Sequence, residues 1–290
     1  MARRTAAPYE SRVRQMLRHR AALTGGALLG LVVGITVLGS WLYSGDPLTT
    51  QPTFILQGPS AEFPLGTDQL GRDVLARVLN AGLISIPAGM LAISCGALIG
   101  GLAGLLSGYA GGLVDAVASR AIDVLLSFPA LLIALMVVAV LGPDSTSAIV
   151  AVSITAIPSN ARVARSTVLS LRTAAFVDAA RVSRTPTRRI IWRHVLPNVR
   201  DSLLPIFVIG MGNGIIVLAA LSFLGIGVQP PAADWGVMLT DGVRSLRTAP
   251  LVALAPAVMM YGTVLGINLL GEGAGEVLSR PRIVRRTVAK

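Results

Sequence analysis

Charge is scarce in this chain: 13% of its 290 residues are charged, about half of the roughly 25% usual for a soluble domain. That argues against a cytosolic globular protein. Hydrophobic residues make up 53%, which excludes intrinsic disorder, since disorder needs low hydrophobicity and many charges. Cys95 is the one cysteine, so an internal disulfide and a thiolate metal cage are both impossible. Lys290 is the one lysine, so a phosphate-binding loop of the form GxxxxGK[ST] is absent and the chain cannot hold ATP by that device. The two histidines, His19 and His194, show no zinc-ligand spacing. Aromatics are 4%, whereas Gly (31) and Pro (17) are common, the bias of membrane helices.

What is present is a series of long uncharged runs: Ala21 to Gly45, Val78 to Val114, Val124 to Pro143, Ser145 to Ala161, Ser202 to Ala233 and Thr248 to Gly271. A spanning helix needs about 17–25 apolar residues. The runs predict an all-α membrane protein with six transmembrane helices near 22–43, 83–107, 121–141, 146–169, 202–226 and 251–271. The first run is longer than the roughly 7–15 residues of a signal-peptide core and reads as an uncleaved anchor.

The net charge is +11, and the arginines distribute by side. They precede span one (Arg3 to Arg20), lie between spans two and three (Arg120), crowd the gap between spans four and five (Arg162 to Arg200) and follow span six. The opposite side keeps Arg72, Arg77, Arg244 and Arg247. Positive charge stays cytoplasmic, so both termini are expected in the cytosol. Nucleic-acid binding is a poor reading, because the basic residues follow topology and form no aromatic-studded face.

Gly96, Gly100, Gly104 and Gly108 fall on one face of span two. Small residues at that spacing let helices approach closely, and a face lining a path is the alternative; Gly262 and Gly266 repeat the pattern in span six. Pro87, Pro129, Pro158, Pro205 and Pro256 put one proline in or beside each of spans two to six, to bend them around a cavity or simply to pack. Ion-coupled carriers keep an ionisable group at mid-membrane. None is visible, which argues against a self-sufficient secondary carrier. An intramembrane enzyme is also disfavoured, since both histidines fall on the cytosolic side.

Outside the spans, PLGTDQLGRDVLARV (64–78) offers Thr67 or Asp68 as the cap of a short external helix, followed by Leu70, Val74 and Val78 at helical spacing. The external loop 228–250 carries Trp235, suited to the membrane interface. The cytosolic segment 172–200 predicts two short helices. The first is alanine-rich, over 173–183. Thr185 and Pro186 open the second, which should end before Pro197. These helices either lie on lipid headgroups or dock in a groove of a soluble partner.

Asp178-Ala179-Ala180 followed by His194-Val195-Leu196-Pro197-Asn198 resembles the EAA…G…I-LP coupling motif of ABC importer permeases. Residues 64–78, LSFLGIGVQPP (221–231), NLLGEG (268–273), LSFPALL (126–132) and GYAGG (108–112) look like the dipeptide, oligopeptide and nickel branch, most like its second, C-type permease. The similarity covers about residues 60–282, and the additional N-terminal span also fits. It implies a type I importer permease fold, organised as a basic N-terminus (1–20), a first helix with external segment (21–82), a permease domain (83–275) with coupling helices at 173–196, and a cytosolic tail (276–290). It further implies a bacterial inner-membrane location, a homologous permease partner, two cytosolic ATPases that carry the ATP and Mg, and an extracytoplasmic solute-binding protein. The chain itself would have no catalytic, cofactor or metal site. By that likeness Asp178, Ala179 and Ala180 enter the ATPase cleft, His194, Leu196, Pro197 and Asn198 hold the segment to the bundle, and Asp68, Arg72, Asp73 and Trp235 are candidate contacts of the binding protein, with an intrachain Arg72–Asp73 ion pair the alternative. Two departures stand out: the family's Glu is Asp178, and its glycine is Arg184, where a left-handed turn costs a non-glycine residue about 1 kcal/mol; either the turn differs in this chain or Arg184, counted with the coupling residues, makes its own ATPase contact.

Overall fold

The computed structural model describes residue 16 and residues 18–279. Nine helices, with a 3-10 turn at Pro52–Phe54 in the longest connection, hold most of these residues: α1 (Arg20–Leu42), α2 (Val74–Ala110), α3 (Gly112–Leu126), α4 (Ala130–Leu141), α5 (Ser145–Arg172), α6 (Ala175–Val182), α7 (Thr187–Phe223), α8 (Trp235–Arg244) and α9 (Leu251–Ser279). Helices α1, α2, α5, α7 and α9 are each long and apolar enough to cross a membrane, and α3 with α4 form a sixth, bent unit. The expected all-helical, six-span architecture is therefore present, with three local corrections.

The third span is not straight. α3 and α4 meet at 94° across Ser127–Pro129. Proline removes a helix hydrogen bond and restricts the residue before it, so the run breaks at Phe128. The turned-out α3 is held by ion pairs to α5: Arg165 grips Asp115 with two bonds (Nε–Oδ1 2.5 Å, Nη2–Oδ2 2.8 Å), and Arg162 Nη2 meets Asp123 Oδ1 at 2.5 Å.

The second correction concerns residues 64–78. No separate short helix is capped by Thr67 or Asp68. The helix starts at Val74 and runs on as α2, 37 residues, about 55 Å at 1.5 Å per residue and well beyond the roughly 30 Å hydrocarbon core. Asp73 is its cap, accepting from the amides of Leu75 (2.8 Å) and Ala76 (3.2 Å).

The third lies in the segment between α5 and the fifth span. Its second helix begins one residue later than expected, at Thr187, and does not stop before Pro197. A π turn at Ile191–Val195 carries it into the fifth span, with the Leu196 amide donating to the carbonyl of Ile191. The wider turn makes room for a proline that has no N–H to give and whose ring crowds an α-helical carbonyl.

The glycine stripe explains the tightest seam. Cβ atoms on Gly96, Gly100, Gly104 and Gly108 would press on the backbone carbonyls of Ser153, Ile157, Ala161 and Arg165 of α5. Two helices with the same four-residue repeat thus meet backbone to backbone, as small residues permit in lipid. Gly266 of α9 approaches Gly25 and Leu29 of α1 in the same way, and Gly262 meets Val32. His19 Nε2 and Glu276 Oε2, 2.8 Å apart, tie the start of α1 to the end of α9.

Candidate functional site

The segment between α5 and the fifth span folds as a helical hairpin seated on the bundle. In α6, Val177 is fully buried with Leu105, Ala164, Val168, Ile190, Val195 and Val199, and Ala180 packs against that cluster. The opposite face shows Asp178 and Ala179 to solvent, flanked by Phe176 (44% exposed) and Val182 (84%). Asp178 Oδ1 pairs with Arg181 Nη1 one turn on, at 3.1 Å.

Where α6 ends, Thr185 N–H bonds to Ala180 O (3.0 Å) and Arg184 N–H to Arg181 O (2.9 Å). This is the double bond pattern of a Schellman stop, whose turning residue is left-handed. Arg184 occupies it with φ +52°. The turn that the family makes with glycine is kept here by a residue that is strained in it. Arg184→Gly should therefore stabilise the hairpin by about 1 kcal/mol. Hydrogen exchange of the Ala175–Val182 amides should slow several-fold in the variant; faster exchange would mean that the arginine side chain holds the turn.

The second half of the motif closes the hairpin. The His194 ring lies against Phe176, centroids 6.4 Å apart. Asn198 Nδ2 donates to the His194 carbonyl at 2.7 Å, Leu196 packs on the buried cluster, and Pro197 sits in the first turn of the resumed α-helix. Of the coupling residues picked from the sequence, Asp178 and Ala179 face outward, whereas Ala180 faces inward. Phe176 and Val182 were not singled out, although the amphipathic period of 175–182 marks them.

At the opposite end of the bundle, Asp68, Asp73 and Trp235 are buried, and Arg72 is 11% exposed. Burial leaves Asp68, Asp73 and Trp235 little free surface for the contacts expected of them, and Arg72 keeps somewhat more. Asp68 Oδ2 accepts from Arg72 Nε at 2.7 Å and faces Arg77 Nε at 3.4 Å. Both arginines also reach Asp241 of α8 (3.6 and 3.8 Å), and Gln69 Nε2 donates to the Asp241 carbonyl at 2.7 Å. Asp73 takes the Tyr43 hydroxyl at 2.5 Å and is a cap; the ion pair is made between Arg72 and Asp68. Trp235 donates Nε1–H to Val78 O at 3.1 Å, so it is a bolt between α8 and α2 and not an interface anchor. Asp234, which caps α8 and accepts from Ser222 Oγ (2.7 Å), is raised above the usual carboxylate range by burial. Burial likewise raises Asp241, against the pull of Arg77 and Arg72. Burial raises the Tyr43 hydroxyl, with the bond to Asp73 adding to it. Among the described residues no cluster of three or more His, Cys, Asp or Glu is placed to hold a metal.

A broken span, a helical hairpin continuous with the fifth span and a capped opposite end are the parts of a multi-pass membrane permease. Residues 100–282 match the family model described as the binding-protein-dependent transport system inner membrane component, and residues 9–59 match the N-terminal TM domain of oligopeptide transport permease C. The chain belongs to the binding-protein-dependent transport permeases, in the C-type branch of ABC importers. It is 36% identical over 274 residues to the dipeptide transport system permease protein DppC of Alkalihalophilus pseudofirmus, covering 93% of this chain and 89% of that one. It is 38% identical over 280 residues to the glutathione transport system permease protein GsiD of Escherichia coli O1:K1, covering 95% and 91%. In fold it is similar to the MetNI methionine ABC transporter in inward-facing conformations, with TM-score 0.53 and 17% identity over 71% of this chain and 96% of that one.

Proposed function

We propose that this chain is one of two homologous permeases of an ATP-driven importer of short peptides in a bacterial inner membrane. An external binding protein delivers the cargo, and two cytosolic ATPases, which hold the ATP and Mg, grip the hairpin of α6 and the start of α7. In this reading both termini are cytosolic, residues 83–275 form half of the path, and residues 21–82 supply the anchor and its external segment. The relatives named for dipeptide and glutathione transport support peptide cargo.

The observation that carries the reading is the reach of the hairpin. A hydrocarbon core takes up about 20 helical residues. Counted inward from Phe223, where α7 ends, that core finishes near Leu203. Arg188 to Arg193 then lie about 15–22 Å further along the helix, past a headgroup layer of roughly 5–7 Å. That reach supports a soluble partner over lipid as the surface on which the amphipathic hairpin docks. Asp178 and Ala179 are on its open face.

Reconstitution tests the whole. Dipeptide uptake into vesicles should need the second permease, both ATPases and ATP on the hairpin side. Vesicles holding this chain alone should show none; peptide flux through the chain unaided would refute the proposal.

A further inference from the structure

The exposed faces of the spans differ in kind. On α1 they are Leu31, Ile35 and Leu38, on α2 Leu91, Leu98 and Leu106, and on α9 Leu254, Val258 and Tyr261, surfaces that suit lipid. On the cytosolic half of α5 they are polar. Ser159, Arg162, Ser166 and Ser170 are exposed and Thr155 is half-buried. Spaced four, three, four and four residues apart, they share one helix face, across the helix from the glycine seam with α2.

The bend between α3 and α4 is what bares this face. Nearer the external end, Ala148, Ala151 and Val152 of α5 are covered by Ala134 and Val138 of α4. Past Pro129 the chain turns away by 94°, and α3 touches the stripe through Asp123. The two ion pairs that tether α3 are unlike. Arg165 with Asp115 is two-pronged and largely covered (30% and 15% exposed). Arg162 with Asp123 is single and open (56% and 53%). Arg162 lies about 26 Å along α5 from Ser145, within the span of a roughly 30 Å core, where an open charge pair is found facing a water-filled cavity or a bundle interior.

The hydroxyls have a common polarity. Thr155, Ser159, Ser166 and Ser170 each donate to a carbonyl of their own helix, those of Val152, Ala156, Val163 and Thr167, at 2.8, 3.1, 2.9 and 2.8 Å. A hydroxyl has one proton and two lone pairs, so what these residues turn outward is acceptors.

We infer that the cytosolic half of the α5 polar face is a wall of the water-filled path, uncovered by the break at Pro129. Its acceptor row passes solutes rich in N–H donors, and Arg162 with Asp123 forms a charged station near the cytosolic mouth. The inference rests on the importer reading, because a path needs a cargo, and it deepens that reading by naming residues that touch the cargo.

The test uses the assembled transporter in vesicles, with Cys95→Ala as background. Thr155→Cys and Ser159→Cys, both well inside the core, should react with a charged, membrane-impermeant methanethiosulfonate at least about tenfold faster than Leu98→Cys and Val258→Cys, since only a thiol in water ionises readily. Added dipeptide with ATP should slow that reaction. Equal silence at all four sites, or disulfide cross-linking of Ser159→Cys to the second permease, would overturn the inference, because lipid or protein would then cover the stripe. ATP-driven uptake measured in the same vesicles separates the two readings. Uptake with silent sites sinks this inference alone, and labelled sites without ATP-driven uptake sink the importer reading.

Discussion

Gly104→Leu should pull α2 and α5 apart and lower the stability of the bundle by about 3 kcal/mol or more, the upper part of the range for overpacked cores. At position 104 even a Cβ would overlap the carbonyl oxygen of Ala161, and the next atoms in its way belong to Ala164. Neither neighbour can yield: one is backbone and the other is the smallest side chain with a Cβ. The added volume has to be taken up by translating one helix against the other, which would also loosen Gly96, Gly100 and Gly108 along the same line. For a chain of this size the loss corresponds to a fall of roughly 6–12 °C in melting temperature, read by thermal aggregation of the purified permease. Gly34→Ala is the matched control. Nothing lies within 4 Å of a Cβ at Gly34, and alanine is the better helix former by about 1 kcal/mol, so this variant should melt no lower than the parent. Equal melting of Gly104→Leu and the parent would show that the seam is not closed in the working protein.

The seam shows what is readable from sequence and what is not. Six apolar runs separated by arginines specify six spans, since burial in lipid and the retention of positive charge act on each run locally. A glycine every fourth residue specifies a close contact, but not its partner. That partner is α5, whose facing residues Ser153, Ile157, Ala161 and Arg165 keep the same interval but are not all small, so no matching stripe marks them. The bend of the third span was half legible. Pro129 marks the break, yet the 94° turn depends on Asp115 and Asp123 finding Arg165 and Arg162, some 40 to 50 residues away in sequence. The external segment misleads because it contains two aspartates five residues apart that can each cap a helix. Asp73 takes that role, and Asp68 instead holds two arginines that also reach Asp241, a grouping only the fold creates. Arg184 is the reverse case. The departure from glycine suggested a different turn, but hydrogen bonding at the end of α6 keeps the left-handed one.

Ala179→Trp should disconnect ATP hydrolysis from uptake while leaving the chain folded and inserted. Ala179 stands on the open face of α6 beside Asp178, and its side chain is directed away from the cluster around Val177. An indole there meets no part of this chain, so expression and melting should be those of the parent. It would meet whatever closes on the hairpin. A bulky obstruction at the centre of a close-fitting contact costs at least about 2 kcal/mol, some thirtyfold in the affinity of the ATPases for the permease. Substrate-stimulated hydrolysis and peptide uptake should fall by that factor or more, and hydrolysis by the ATPases without cargo should persist. Ala180→Trp distinguishes coupling from folding, because Ala180 packs against the buried cluster. That variant should lose melting temperature as well as transport. The transmission itself needs stiffness, and the structure supplies it. The Schellman turn at Arg184 and the His194–Phe176 contact lock the two short helices together, and α7 runs from Thr187 into the fifth span with a π turn but no gap. A partner that binds the closed and open arrangements with different strength can then shift the bundle by that difference and no more. If Ala179→Trp shows undiminished substrate stimulation, the outer face of α6 is not where the ATPases hold the permease.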